Sequence, residues 1–232
     1  MDEETTPPHL KALLDNSTEV RRLMEIHEKM VGSSAGRKHR VEVLNKSAIV
    51  LLIACWEAYV EDLANAAFEF MLSNAKSPDI LPAKVRALAG RKLREAKDET
   101  KIWQLAGTGW RKVLAKHKEA VLERYTGTFN TPKTENVEGL FEALLGMRHC
   151  SSCWSWAGMP AKKATSKLDS LVELRGSIAH RVKASTKVWK THVLSHTEFI
   201  MRLSAQASNG VADHLESTVG VRPWIEVVWS PE

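Results

Sequence analysis

The sequence predicts an all-α protein, an antiparallel bundle of helices. Apolar residues recur with the 3.6-residue period of a helix through most of the chain, most clearly in residues 10–31, 39–74 and 186–208. The alternation of apolar and polar residues that indicates a β-strand is nearly absent before residue 220. At 232 residues the chain is long enough to bury a sizeable core. We expect the two longest helices to come from residues 39–74 and 186–208.

The order of these patterns predicts how the chain is organised. Residues 1–9 are expected to be disordered or loose, residues 10–210 to form a single helical domain, and residues 211–232 to form a C-terminal extension. The first half of the 39–74 segment is apolar nearly all round, which predicts a helix buried on most sides. Shorter helices are expected at residues 83–97, 110–125, 137–146 and 164–183. Ile225, Val227 and Trp229 alternate with other residues in the extension and predict an edge strand there.

Positive charge is concentrated in two parts of the chain. The net charge is +5, but residues 84–118 carry eleven lysines and arginines against three acids, and residues 160–192 carry eight against two. Basic zones of this kind favour a nucleic-acid partner. For residues 84–118 the alternative is that lysines simply coat exposed helix faces.

The cysteine count and the apolar runs bear on the compartment. Three cysteines, an odd number, argue against a disulfide framework. The acidic N-terminus does not resemble a signal peptide, and the longest apolar run, residues 48–56, is too short to cross a bilayer. We therefore expect a cytoplasmic protein with no membrane partner.

Residues 168–183 hold the strongest candidate for a functional site. Leu168, Leu171 and Val172 form an apolar helical stripe that anchors the segment in a core. Arg175 and His180 follow on the same segment. Arginine binds phosphate through a planar, permanently charged fork, and histidine transfers protons near neutral pH. Together they are suited to chemistry on a phosphodiester.

The spacing of this pair raises a geometric question. In an unbroken helix, positions five residues apart lie roughly 140° apart around the axis, so Arg175 and His180 would not share a face. Either the helix loosens at Gly176, or two subunits each contribute to one site. The plainer interpretation is a salt-bridged arginine and a surface histidine, because this spacing also arises by chance in basic helices.

Two other groups could have bound a metal. Cys150 and Cys153 form a Cys-x2-Cys pair, but zinc needs four ligands and no second such pair follows. His192 and His196 are four residues apart on a predicted helix, with no third ligand evident. We therefore expect packing roles for the two cysteines, either solvated or packing roles for the two histidines, and neither a metal nor another cofactor.

Three segments resemble one known family. Arg-x4-His after a leucine-rich helix, with Ile-Ala before the histidine, resembles the signature of the HEPN superfamily of helical ribonucleases. Residues 52–63 resemble the early long helix of its RiboL-PSP-HEPN branch, and residues 129–141 resemble that branch's lead-in to the motif helices. Two positions depart from the family pattern. Gly176 stands where the family usually has Asn, Asp or His, and Arg181 where it often has a small residue.

The resemblance implies a metal-independent endoribonuclease of a toxin or anti-phage defence type. It implies that His180 transfers protons and Arg175 holds the scissile phosphate of RNA, at a cleft shared by a homodimer. Glu57 would orient this pair, although by spacing alone it would point to water, and Ser177 and Arg181 would support it. A neutralising antitoxin or another defence-system protein would be a further partner. The alternative is a catalytically inactive HEPN-like module that binds RNA or a protein, which Gly176 and Arg181 favour.

Overall fold

A computed structural model describes residues 6–31, 41–95, 97–126, 131–180 and 187–229. This part of the chain folds into seven α-helices joined by short connections, three of which contain a 3₁₀ helix (Pro78–Ile80, Glu99–Leu105, Cys150–Cys153). The α-helices are α1 Pro8–Val31, α2 Glu42–Asn74, α3 Ala83–Arg94, α4 Gly109–Thr126, α5 Thr134–Leu145, α6 Ala161–His180 and α7 Lys190–Val219. The all-α prediction is confirmed, and α2 and α7 are the two longest helices as expected.

Helix α2 is the centre of the bundle. It packs against α1, α4, α5, α6 and α7. Trp56, Tyr59 and Phe68 on α2 are almost completely buried. Fully burying one side chain of this size stabilises the fold by about 1.5–3 kcal/mol, so α2 provides much of the hydrophobic stabilisation. The sequence pattern that predicted burial on most sides thus corresponds to a helix surrounded by five neighbours.

By length and composition α2 could also cross a membrane. Its most apolar window has a mean hydropathy of 1.5, and half of that window is buried inside the protein. A core helix passes the same test, and the contacts of α2 with five other helices are typical of one.

The prediction of a loose N-terminus is wrong for its last residues. Helix α1 begins at Pro8, and His9 is 98% buried because α1 packs its first turn onto α2 and α7. His9 Nε2 lies 2.9 Å from Ser208 Oγ, and its ring makes an edge contact with Trp224 at 4.7 Å between centroids. The first residues of the prediction, 1–5, lie outside the described residues.

The predicted edge strand is not formed. Residues 225–229 have no strand structure, and α7 continues to Val219, past the expected domain end at 210. Among the described residues, no strand is available to pair with this C-terminal tail. Instead, the Asn209 side chain bonds both backbone groups of Val227, accepting from its N–H at 2.8 Å and donating to its carbonyl at 2.9 Å. One asparagine thus replaces a strand partner and holds the tail against α7.

Candidate functional site

Helix α6 carries the Arg-x4-His segment and is firmly anchored. Leu168, Leu171 and Val172 are buried in the core, as the apolar stripe predicted. Arg175 follows one turn later and is half-buried. The rigid part of α6 therefore extends up to the residue that is suited to bind phosphate.

The helix does not loosen at Gly176. Helix α6 continues without interruption to His180, and no atom lies within 4 Å of a Cβ built at position 176. Of the two alternatives, loosening of the helix at Gly176 is not observed, because the backbone hydrogen bonds of a helix tolerate glycine when neighbouring turns are already packed. Positions 175 and 180 therefore lie roughly 140° apart around one axis. One chain by itself does not place them on a common helix face.

Glu57 on α2 lies close enough to Arg175 for their charges to interact. Partial burial raises the pKa of Glu57, and the positive charge of Arg175 acts in the opposite direction. Burial also raises the pKa of Glu61 one turn along α2, and the charge of Glu57 adds to this effect. Within the described residues the Arg175 guanidinium makes no ion pair, and its buried Nε has no hydrogen-bond partner. Arg175 thus has a carboxylate nearby and donors left for a ligand.

The three segments that resemble HEPN proteins contact one another here. On α2, the Trp56 indole N–H donates to the carbonyl of Pro132 at 3.0 Å. On α6, Asp169 accepts from the backbone N–H of Thr134 at 2.8 Å and so caps the start of α5. Glu173 pairs with Lys133 at 2.7 Å. Residues 131–134 are therefore held by both α2 and α6, and their partner Glu173 lies two residues before Arg175 on α6.

The sequence reasoning missed Asp169 and Glu173 as residues that build this region. Both lie inside the motif segment, four residues apart, on the side of α6 that faces α5. Their spacing of four residues indicated that they share a helix face. Nothing in the local sequence indicated that their partners would be residues 133 and 134. The part of α6 that faces α5 therefore holds the start of α5 through Asp169 and Glu173.

The remaining predicted site residues are only partly described. Ser177 is half-buried, and its hydroxyl donates to the Leu174 carbonyl at 2.8 Å, which ties it to its own helix. His180 is the last residue of α6, and its side chain lies outside the described part of the structure. Arg181 lies outside the described residues altogether.

The Cys150/Cys153 pair is part of the packing between a 3₁₀ helix and α7. Burial raises the pKa of both thiols, to about 11 for Cys153. Cys153 lies against α7 so closely that any side chain at Gly210 would overlap its Sγ. Both groups are free thiols that stay protonated at neutral pH, which makes them poor metal ligands and poor nucleophiles.

The His192/His196 pair shows no metal-binding arrangement either. His192 is exposed, whereas burial, helped by the charges of Lys167 and His192, lowers the pKa of His196 to about 4. Across the described ranges, no three His, Cys, Asp or Glu side chains are grouped so that they could hold a metal ion.

A shallow cleft of about 110 Å³ lies between α6 and α7. Lys167, Phe199 and Arg202 are among its lining residues, and the Lys167 ammonium lies 4.7 Å from the Phe199 ring centroid. Arg202 packs in the same way on Trp229 of the tail, at 4.8 Å. These cations thus serve partly to pack α6 and the tail onto α7. Lys167 lies about two turns before Arg175 on α6.

The chain belongs to the RiboL-PSP-HEPN family of HEPN domains. The family model matches residues 14–207, which include Glu57, Arg175 and His180 and almost all of the helical bundle. Membership suggests a ribonuclease-like or nucleotide-related function. Comparisons with curated proteins and with solved structures find no significant match.

Proposed function

We propose that the protein is a metal-independent endoribonuclease of a toxin or anti-phage defence type. The observation that carries the proposal is the setting of Arg175, half-buried on an anchored helix beside Glu57, with no ion pair to any described residue. A guanidinium held in this way is prepared to bind a phosphate, because it loses no existing ion pair when the ligand arrives.

In the proposed reaction His180 and Arg175 have separate roles. His180 takes the proton from the ribose 2′-hydroxyl, or gives one to the leaving 5′-oxygen, as the 2′-oxygen bonds to phosphorus and the P–O5′ bond breaks. Arg175 binds the scissile phosphate and stabilises the negative charge that develops in the transition state. The products carry a 2′,3′-cyclic phosphate, or a 3′-phosphate after its hydrolysis. Glu57 orients the guanidinium.

We propose further that the active form is a homodimer. The unbroken helix through Gly176 supports this, because Arg175 of one chain and His180 of its partner can face one cleft although the two positions diverge within a chain. Sedimentation of the active protein should give a dimer at micromolar concentration. A fully active monomer would contradict the composite site. The proposed compartment is the cytoplasm, and the proposed regulatory partner is a neutralising antitoxin or another defence-system protein.

The decisive experiment measures cleavage of RNA in EDTA by the wild type and by His180→Ala, with the product ends mapped. Removing a positioned acid–base group lowers the rate by about 10²–10⁴-fold, whereas EDTA should have no effect. His192→Ala is a matched control, because His192 is an exposed histidine on α7. If EDTA stops cleavage while His180→Ala does not, the assignment is wrong.

The second candidate is a catalytically inactive HEPN-like module that binds RNA or a protein. The specific observation in its favour is again the continuous helix at Gly176, since within one chain it keeps positions 175 and 180 on different faces. This candidate predicts RNA or protein binding without cleavage, in dimers as well as in monomers.

A further inference from the structure

Residues 83–116 form a surface that the proposed catalytic site does not use. We call it the basic arm, and it comprises α3, the 3₁₀ helix Glu99–Leu105 and the first two turns of α4. Trp103 lies on this 3₁₀ helix with 75% of its surface exposed, next to Ile102, which is 45% exposed. Tryptophan is highly buried on average, so a tryptophan held mostly in water points to a use at the surface.

The conformation that exposes Trp103 is built into the chain. Asp98 caps the start of the 3₁₀ helix by accepting from Thr100 N at 3.0 Å and from its hydroxyl at 2.6 Å. Leu105 packs against the core at the other end. Gly109 closes the turn into α4, where any Cβ would overlap the carbonyl oxygen of Gln104. Trp103 is thus presented by a fixed framework.

The charge around Trp103 is strongly positive. The arm carries ten lysines and arginines against three acids. Among the described residues of the arm, only Arg86 forms an ion pair, with Asp79 at 2.9 Å. Lys97 lies just before the 3₁₀ helix and Lys101 lies within it, two residues before Trp103, and both are exposed. An exposed aromatic ring amid unpaired cations has the character of a single-stranded nucleic-acid surface, where bases stack and phosphates meet positive charge.

Helix α4 connects this arm to the candidate site. Arg111 at its start donates to the Ala75 carbonyl at the end of α2, and Pro132 after its end accepts from Trp56. Helix α4 therefore runs back along α2, from Ala75 at the end of α2 towards Trp56, which precedes Glu57. Ala75 and Trp56 are nineteen residues apart, which on a helix corresponds to about 28 Å. Lys112 and Lys116 are exposed along the start of that return.

We infer that the basic arm binds single-stranded RNA, with a base stacked on Trp103 and phosphates on the flanking lysines, and leads the strand along α4 towards Arg175. The inference rests on the proposed function and adds a distant contact to its substrate. A stacked strand advances about 3.4 Å per nucleotide, so the path requires about eight nucleotides. The dense positive charge favours a polyanion over a protein as the occupant.

The test measures binding and needs no cleavage. A fluorescently labelled 16-nucleotide single-stranded RNA is titrated with the full-length chain carrying His180→Ala, and anisotropy gives the affinity. Trp103→Ala should weaken binding about fivefold or more, which is the loss of one stacked base. Trp103→Phe should retain most of the affinity. Trp103→Leu, which stays apolar but cannot stack, should behave like Trp103→Ala.

The lysines are tested through the salt dependence of binding. Lys97→Gln with Lys101→Gln should reduce the slope of log affinity against log salt by about 1.4, since each phosphate contact on a single strand contributes about 0.7. Lys11→Gln with Lys29→Gln on α1 is the matched control, because these lysines are also exposed. The control should leave the slope unchanged.

The outcomes separate this inference from the catalytic proposal. Weakened binding in Trp103→Ala supports the arm even if no variant cleaves RNA. The inference is overturned if the parent chain does not bind the RNA or if Trp103→Ala binds like its parent. It is also overturned if Trp103→Leu matches Trp103→Phe, because the side chain would then make an apolar contact and not stack on a base. Unchanged melting temperatures are expected for the Trp103 variants, because the side chain is mostly exposed.

Discussion

Tyr59 and Glu57 lie two residues apart on α2 and sit in opposite kinds of polar environment. Tyr59 is 1% exposed, and its hydroxyl donates to the Ser204 carbonyl at 2.5 Å. His9 packs beside it with a ring-centroid distance of 5.8 Å. Burial lowers the pKa of His9 to about 4 and raises that of Tyr59, so at neutral pH both groups are uncharged.

The Glu57 side of α2 is open to solvent. Glu57 and Arg175 are both half-buried, and each still reaches solvent. A sealed interior makes ionisation costly, so the Tyr59 cluster can contribute to stability but cannot hold an anion. A half-open site can keep a guanidinium charged and accessible. The same helix therefore separates a polar cluster that serves the fold from one that is suited to a phosphate.

Of the changes that test this difference, substitution of Arg175 should have the largest effect. Arg175→Ala should lower kcat for RNA cleavage by about 10²–10³-fold, as for loss of a donor to the developing charge. Arg175→Lys should not restore the rate, because a point charge does not replace the bidentate fork. Single-turnover cleavage of a defined RNA measures both. Full activity of Arg175→Lys would show that only charge is required at this position.

The pH dependence of stability tests the buried side of α2, where His9 packs beside Tyr59. His9 is expected to titrate near 6.5 when unfolded and has a pKa of about 4 when folded, so the unfolded chain binds more protons between these values. Its contribution to stability, roughly 3 kcal/mol, is present above pH 6.5 and is lost as the pH falls towards 4. His196 acts in the same direction.

Urea unfolding at pH 4.5 and pH 7 measures this effect, with His9→Gln as the variant that cannot titrate. The pH dependence should be smaller in His9→Gln than in the wild type. An identical dependence in the two proteins would mean that His9 is accessible to protons in the folded state.

A smaller effect is expected from Tyr59→Phe. The variant loses the hydrogen bond to Ser204, which should lower the free energy of unfolding by about 0.5–1.5 kcal/mol at pH 7. Cleavage per folded molecule should not change, since the hydroxyl lies on the buried side of α2, away from Glu57. A loss of activity without a loss of stability would connect the two sides of α2 and contradict the separation.

The smallest expected change tests the unbroken helix. Gly176→Ala should stabilise the protein by about 0.5–1 kcal/mol, because alanine costs less than glycine inside a helix and no atom lies within 4 Å of its Cβ. Thermal unfolding and the cleavage rate are measured together. A higher melting temperature with a collapsed rate would mean that α6 opens at Gly176 during the reaction, so that one chain supplies both groups.

Much of the helical architecture could be predicted from local pattern. The continuous apolar surface of residues 39–74 indicated α2, and the stripe at Leu168, Leu171 and Val172 indicated an anchored α6. The edge strand could not be predicted correctly by the same means. The alternation of Ile225, Val227 and Trp229 is suited to a strand, but a strand also requires a partner. Only the fold shows that Asn209 takes that place.

Local sequence specifies which segments are helical, which faces they bury and where the positive charge is concentrated, because these properties depend on residues a few positions apart. The tertiary structure decided that Glu57 lies beside Arg175, that Asp169 caps α5 and that His9 is sealed against Ser208. Each of these contacts joins residues far apart in the chain. No local period encodes them, since they arise only when the helices pack around α2.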